Sequence, residues 1–262
     1  FFTWKFSLIF YFLTKGFHKF FDATKITHIF RVSITMKLII NIICFTLLST
    51  ISNAFENPKI NLGKFSINKY EITIKEFSEY ALIKNITTLA EKNGGGYEWG
   101  AGWEKRSGWN YKTPFGKKPE SNLEPAAHLN RFESEKYCKY KGGRLPTFEE
   151  WKLAAYTQVL NSEKYNKGKT YTYPSGNKAE GLNSQGILNF DKHVDVTSLP
   201  EGINGLVAMG GNVWEWIDDQ KGSDSLTAGA SWWYGAYKTR VTGVQYKPSD
   251  FYVIYIGFRC AF

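Results

Sequence analysis

The protein has 262 residues, with 33 Lys and Arg against 24 Asp and Glu, a net charge of +9 and a pI of about 9.2. A chain of this length fits one domain of about 200 residues preceded by a further segment. The basic excess is concentrated at the start, because 27 basic and 23 acidic side chains, a net charge of +4, remain without residues 1–54. No predicted element carries a cluster of Lys and Arg, which argues against a nucleic-acid-binding protein.

The start of the chain contains a pattern that is typical of a secretory signal. Met36 begins a stretch with one lysine, an apolar run from Leu38 to Leu48 and small residues up to Ala54. This order predicts a signal peptide over residues 36–54. A transmembrane anchor is the alternative, but the apolar run is shorter than the roughly 18 residues that span a bilayer. We interpret residues 1–35 as lying upstream of the true start, with a membrane-inserting extension as the alternative, and expect a secreted or periplasmic protein without stable membrane insertion after cleavage.

The mature chain, residues 55–262, is expected to form a single domain that contains a few capped helices. Thr73 followed by Glu76, and Thr147 followed by Glu150, each form the capping-box pattern at the start of a helix. A further helix is predicted over about Glu133 to Lys141, ended by two glycines. Short alternating segments predict antiparallel strands between long loops. Together these features predict a loop-rich α+β domain with about three helices.

The segment from residue 94 to residue 118 is rich in glycine and aromatic residues and shows no period. We interpret it as long ordered loops, because so many large aromatic rings need burial. Core packing is the favoured interpretation for each of the rings, and a pocket lining is the alternative. The rings are those of Trp99, Trp103, Trp109, Tyr111 and Phe115.

The C-terminal part carries the most specific motifs. They are GLVAMGGNVWEWIDD from Gly205, GASWWYGAYKTR from Gly229 and IGFRCAF from Ile256. We expect one of Trp214 and Trp216 to enter the core and the other to line a surface.

Together with GGRLPTFEEW from Gly142, and in this order along the chain, these motifs resemble the formylglycine-generating-enzyme family, also called the sulfatase-modifying-factor family. The resemblance covers roughly residues 65–262. It implies that family's variant of the C-type-lectin-like fold.

The resemblance also bears on the cysteines. It implies a disulfide between Cys138 and Cys260, and an isolated pair in an exported protein usually bonds. Family members that make formylglycine bind copper(I) with two further cysteines just after the G-x-S segment. Tyr234 stands at the first of these positions, and no cysteine follows it up to residue 240. We therefore expect no copper and no formylglycine-generating activity.

Calcium is the remaining metal that the resemblance implies. The family holds it around the GNVWE motif with an Asx side chain, two carbonyls and a glutamate. Gly211, Val213 and Glu215 match that set, but Ala208 replaces the Asx, and each lost oxygen ligand weakens such a site. Asn183 matches an asparagine of a second family site. Structural calcium at these positions is the expectation.

Three functions remain open for the mature domain. The first is a module that binds an unknown protein, peptide or glycan through an aromatic C-terminal surface. The second is an oxidoreductase or maturation enzyme of a cysteine-less branch of the family, and the third is a structural pseudoenzyme. We favour binding, because Trp and Tyr dominate the energetics of binding surfaces. The candidate ligand-binding residues are Trp214, Ser231, Trp232, Trp233, Tyr234, Tyr237 and Arg240.

Overall fold

The computed structural model of the protein describes residues 55–188 and 190–262. Residues 57–262 form one compact unit. The predicted signal peptide at 36–54 and the residues before it lie outside the described part. Every helix within the described ranges is too short or too polar to cross a bilayer.

The described residues contain four α-helices, and each begins with a capping box. A Thr or Asn side chain accepts from the backbone N–H three residues on, and a Glu at that position bonds back to the cap. The two predicted boxes, at Thr73 and Thr147, are confirmed. The predicted helix at Glu133 begins two residues earlier, because Asn130 caps it and Glu133 is the returning glutamate. The helices are α1 (Ile74–Lys84), α2 (Leu89–Lys92), α3 (Arg131–Tyr140) and α4 (Phe148–Tyr156).

The strands are short and mostly antiparallel, as predicted. The hairpin strands are β1 (Lys59–Asn61) with β2 (Ser66–Asn68) and β3 (Gly95–Trp99) with β4 (Trp103–Ser107). A four-stranded sheet has the order β7-β6-β5-β8, formed by β5 (Trp214–Lys221), β6 (Asp224–Ala228), β7 (Gln245–Pro248) and β8 (Ile256–Gly257). Only the β5–β8 pair in that sheet is parallel. The α+β class is confirmed, whereas the prediction of loops throughout 94–118 is wrong, because the β3–β4 hairpin lies there.

Strand β5 supplies side chains to two hydrophobic clusters. Trp214 and Trp216 belong to a cluster with Phe77, Tyr137 and Phe258. Ile217 points the other way, into a cluster that includes Trp151 and Ile67. The alternation of side chains along the strand thus joins the two halves of the core.

A buried ion pair ties the end of the chain to this strand. Arg259, fully buried, donates from Nε and Nη2 to both oxygens of Glu215 over 2.7–2.9 Å. Its Nη1 donates to the carbonyls of Asn68 and Lys69, and its Nη2 also donates to the carbonyl of Val207. A buried guanidinium with its donors satisfied in this way fixes three separate segments around one side chain.

The disulfide that the resemblance implied is present. Cys138 in α3 and Cys260 after β8 are bonded, with their Cα atoms 5.4 Å apart and a separation of 122 positions in sequence. Both residues are fully buried. The bond fixes α3 to the end of the chain, and neither sulfur is left as a thiol.

Candidate functional site

Trp214, a candidate ligand contact, lies inside the core. Trp214 and Trp216 are both fully buried, so the prediction that one of them lines a surface is wrong. The physical reason is the period of a strand, in which residues two apart share a face. Two neighbours cover Trp214: the ring of Tyr234 packs edge-on at 5.3 Å, and Lys247 Nζ lies 3.9 Å from the ring centroid.

Lys247, which the sequence did not single out, is held among neutral groups. Its ammonium donates to Thr227 Oγ1 at 2.6 Å and to Gln245 Oε1 at 3.2 Å. Burial, with a smaller contribution from repulsion by Lys238, lowers the pKa of Lys247 to about 7. The sequence does not predict the contact between Lys247 and Trp214. Lys247 is one position of the short strand β7, and Trp214 lies 33 residues earlier in the chain.

Tyr234 is half-buried, and burial raises the pKa of its phenol. It stands where the resemblance places the first copper-binding thiol. Because its ring packs against Trp214, it fills this position as a packing residue. A phenol that is kept protonated by burial offers no soft ligand to copper(I).

Ser231 and Trp232 lie beneath the surface. Ser231 is fully buried and Trp232 is 8% exposed. Neither Ser231 Oγ nor Trp232 Nε1 has a hydrogen-bond partner among the described residues. Trp232 packs against Tyr255 at 5.4 Å and edge-on against Trp233 at 5.6 Å. Ser231 and Trp232 therefore lie beneath the exposed Trp233, where a ligand has little access to them.

Trp233 is exposed and belongs to a larger group of rings. Its ring lies 5.9 Å from that of Tyr255, which is buried. The ring of Trp103 also lies near Tyr255, at 6.4 Å. Trp103 packs edge-on against Phe251 at 4.6 Å and against Trp99 at 5.1 Å. We call these five residues, Trp99, Trp103, Trp233, Phe251 and Tyr255, the aromatic surface.

The two hairpin tryptophans were predicted to be core residues, and that prediction is wrong. Trp99 and Trp103 are each 44% exposed, and Trp233 is 45% exposed. Trp99 and Trp103 are directly paired across the β3–β4 hairpin, on either side of a Gly-Ala-Gly tip. Tyr255 fixes the hairpin, because its hydroxyl accepts from the Trp99 backbone N–H at 3.2 Å. Two tryptophans that flank a short glycine-containing tip were the signal in the sequence that could have revealed this hairpin.

Tyr237 and Arg240 are exposed but have no ring contact with the aromatic surface. Tyr237 is 64% exposed. Arg240 donates to the hydroxyl of Tyr173 from Nε at 3.0 Å and from Nη2 at 2.6 Å, and its guanidinium lies 5.0 Å from that ring. No ring contact joins Tyr237 or Arg240 to Trp233, and their role in ligand binding stays a prediction.

The residues matched to calcium belong to two sites, one around Glu215 and a second that includes Asn183. Glu215, besides its bonds to Arg259, accepts from Trp151 Nε1 at 2.8 Å, so protein donors already satisfy both of its oxygens. Gly211 approaches the backbone of Asn183, and Asn183 Oδ1 is buried without a hydrogen bond. The surroundings of Glu215 do not fit calcium, because the Arg259 guanidinium already binds both oxygens of its carboxylate. No group of three or more His, Cys, Asp or Glu within the described ranges is arranged to hold a metal.

Two histidines of the described residues, His128 and His193, are fully buried as neutral rings. His128 is fully buried, and its Nε2 lies 2.9 Å from the carbonyl oxygen of Pro114. Its Nδ1 has no hydrogen-bond partner among the described residues, and His193 Nε2 has none either. His193 Nδ1 lies 3.4 Å from Glu124 Oε2. Burial lowers the pKa of His128 to about 4 and that of His193 to about 3.

Comparison with known proteins agrees with the fold and the motifs. Residues 45–262 match the family described as "Sulfatase-modifying factor enzyme 1-like domain". The protein named "Inactive C-alpha-formylglycine-generating enzyme 2" of Bos taurus is 27% identical over 245 residues, which is 78% of each chain. The protein named "Formylglycine-generating enzyme" of Mus musculus is 22% identical over 258 residues, 78% of this chain and 67% of that one.

Among solved structures, that of PvdO from Pseudomonas aeruginosa superposes with a TM-score of 0.54 at 18% identity, covering 75% of this chain and 79% of the other. At this identity the likeness concerns the fold alone. The family match spans most of the chain and includes every motif on which the resemblance rests. The chain belongs to the sulfatase-modifying-factor family, whose domain forms the fold described above.

Proposed function

We propose that this domain is an exported, non-catalytic binding module that holds a glycan or peptide ligand on the aromatic surface. The observation that carries the proposal is the exposure of Trp99, Trp103 and Trp233 at 44–45% each, in one connected group of rings. Trp99 and Trp103 are in contact, and the Tyr255 ring links them to Trp233. Exposed aromatic rings grouped in this way are of the kind that marks interaction sites. Trp combines large rigid area with a polar N–H, which suits it to binding.

The rings come from three separate parts of the chain and are held by contacts beneath them. The hairpin supplies Trp99 and Trp103, the segment after β6 supplies Trp233, and the segment before β8 supplies Phe251 and Tyr255. Because these rings pack against one another before any ligand arrives, little side-chain entropy is lost on binding. A preformed surface of this kind fits a binding module.

The expectation that this protein has no oxidase activity rests on its cysteines. Cys138 and Cys260 are bonded to each other, and no third cysteine follows Ala54. Two of the curated relatives carry the word "inactive" in their names. We expect a Cys-x-Pro-x-Arg peptide to stay unmodified when incubated with the protein, copper and oxygen. Aldehyde above the level of a boiled control would contradict this.

The test of the binding proposal is a panel of immobilised glycans and peptides, followed by titration of whatever probe the protein retains. Trp233→Ala and Trp103→Ala should each weaken binding by about 1–3 kcal/mol, the range of a hot-spot residue. Phe132→Ala is the matched control, because Phe132 on α3 is 44% exposed, like Trp103, and has no ring contact with the aromatic surface. It should change the affinity by less than about threefold.

Tyr234→Ala distinguishes packing from binding. Because Tyr234 packs on the buried Trp214, we expect this variant to lower the thermal stability and to leave the affinity per folded molecule unchanged. The proposal is wrong if Trp233→Ala and Trp103→Ala behave in that same way. These rings would then stabilise the fold without contacting a ligand.

Export is part of the proposal and has its own test. A buried disulfide is typical of proteins from oxidising compartments. We propose that translation starts at Met36 and that cleavage follows Ala54. N-terminal sequencing of the exported protein should read Phe55-Glu56-Asn57, and retention of residues 1–35 would contradict it.

A further inference from the structure

One face of the four-stranded sheet brings Lys247 to the ring of Trp214. In the register of the sheet, Thr227 on β6 stands opposite Trp216 on β5 and opposite Gln245 on β7. Residues that stand opposite each other share a face, and so do residues two positions apart in a strand. Trp214 and Lys247 therefore lie on this same face, and the Lys247 side chain reaches across β6 to the Trp214 ring, 3.9 Å from its centroid.

Lys247 is accessible from the edge of the sheet. In the strand order β7-β6-β5-β8, the strand that carries it stands at one end. Lys247 is half-buried, whereas the Trp214 ring beneath it is fully buried. Tyr234 packs edge-on against that ring at 5.3 Å and is half-buried as well. A small molecule can therefore reach Lys247 Nζ, and it would meet the amine against an aromatic floor.

The groups around Lys247 Nζ favour a neutral amine. Its two hydrogen-bond acceptors, Thr227 Oγ1 and Gln245 Oε1, are uncharged. None of the salt bridges among the described residues includes Lys247. The charged group that acts on it is a second cation, Lys238. Tyr234, the titratable group packed on the same indole, adds no charge at neutral pH, because burial raises the pKa of its phenol.

This arrangement is that of a reactive lysine. Desolvation and a neighbouring cation are the two conditions that make a lysine amine a nucleophile towards carbonyl compounds. Lys247 meets both of them, through its burial and through Lys238. The neutral amine has two N–H bonds for the acceptors Thr227 and Gln245, so its lone pair remains free to react.

We propose that Lys247 is a nucleophilic amine that captures a small aldehyde as an imine, at a site formed with Trp214 and Thr227. The Nζ lone pair attacks the carbonyl carbon, and one nitrogen proton passes to the carbonyl oxygen to give a carbinolamine. The hydroxyl then leaves with the second nitrogen proton as water, and a C=N bond forms. One amine and one aldehyde thus give one imine and one water, without an oxidant or a reductant. The site includes no residue of the aromatic surface and is independent of the function proposed for it.

The test is reductive alkylation of the full-length protein with propanal and sodium cyanoborohydride, followed by peptide mapping with mass spectrometry. Cyanoborohydride reduces each imine to a stable propylamine, which marks the lysine that formed it. At pH 7, about half of Lys247 is free amine if its pKa is about 7, against less than about 0.1% of a lysine with the usual pKa of 10.5. We expect Lys247 to be alkylated at least about tenfold faster than the reference lysines.

The references are three lysines in the same digest, Lys59, Lys164 and Lys169. Each lies over an aromatic ring, as Lys247 does, and each is more exposed than Lys247. Faster alkylation of Lys247 therefore cannot result from access or from a ring contact. The alkylation rate of Lys247 should level off above about pH 7, whereas the rates of the references should keep rising towards about pH 10.

Two variants separate the proposed site from its surroundings. Lys238→Gln removes the neighbouring cation and should slow the alkylation of Lys247 at neutral pH by about two- to fivefold. Trp233→Ala, on the aromatic surface, should leave that rate unchanged. The proposal is overturned if Lys247 is alkylated no faster than the three references at neutral pH, or if its rate rises with pH in parallel with theirs. Both comparisons are made within the wild-type protein, so they do not depend on the folding of a variant.

Discussion

Removal of the Cys138–Cys260 disulfide should destabilise the domain strongly. The bond closes a loop of 122 residues. In the chain-entropy model the denatured chain loses about 2.1 + 1.5R ln 122, or roughly 16 cal/mol/K, when the bond forms. At 25 °C this corresponds to about 5 kcal/mol, an upper figure, since denatured chains are not fully random. Natural domains have about 5–15 kcal/mol of stability in all, so the loss is a large part of it.

The measurement is urea unfolding of the oxidised protein, of the same protein in a reductant, and of the double variant Cys138→Ala/Cys260→Ala. The reduced protein keeps both sulfur atoms and loses only the cross-link. The double variant also loses buried volume and should therefore be less stable than the reduced protein. The double variant is used because a single variant would leave a reactive thiol.

The reduced protein should unfold with a free energy lower by about 3–5 kcal/mol, and the m-value should rise, because the reduced denatured chain exposes more surface. If the free energy falls by less than about 1 kcal/mol, the cross-link is not what stabilises the contact between α3 and the end of the chain. The buried rings around it would then suffice, and the reasoning would be refuted.

The other predictions concern buried ionisable side chains and calcium. Arg259→Leu leaves Glu215 buried without its partner and should cost at least about 3 kcal/mol in the free energy of unfolding, measured with urea, or prevent folding. The lowered pKa of Lys247 means that the unfolded state alone holds this proton between pH 7 and 10.5, so stability should rise with pH across that window, and Lys247→Met should flatten the rise. The lowered pKa of His193 means that stability should fall as the pH drops from 6.5 towards 3, and His193→Gln should remove part of that fall in thermal melts at a series of pH values. Addition of calcium to chelator-treated protein should shift the Tm by less than about 1 °C, and a larger shift that Asn183→Ala abolishes would place calcium at that side chain.

Local features of the sequence predicted local structure well. The capping boxes at Thr73 and Thr147 were found because a cap and its glutamate lie three residues apart. The box at Asn130 follows the same rule and was missed, so the start of α3 was placed two residues too late. The family motifs predicted the fold class and the disulfide, since each is carried by several residues in a fixed order.

The exposure of single side chains was much harder to predict. Trp99 and Trp103 look like core residues in the sequence, and their half-exposed state depends on Phe251 and Tyr255, about 150 residues later. Trp214 was placed on a surface although its strand position gives it the same face as the buried Trp216. In a loop-rich fold, tertiary contacts determine which residues surround an aromatic ring. The local periodicity of the sequence does not predict those contacts.

The position of Arg259 has a consequence for how the chain is made. Its guanidinium joins Asn68 and Lys69, near the start of the domain, to Glu215 and to Val207. These contacts cannot form until residue 259 has left the ribosome, whereas domains commonly begin to fold from the N-terminal side during synthesis. The part of the core around Arg259 therefore closes only after residue 259 has been synthesised. Until then, rings that are fully buried in the folded state, such as those of Trp214 and Trp216, are accessible to chaperones and proteases.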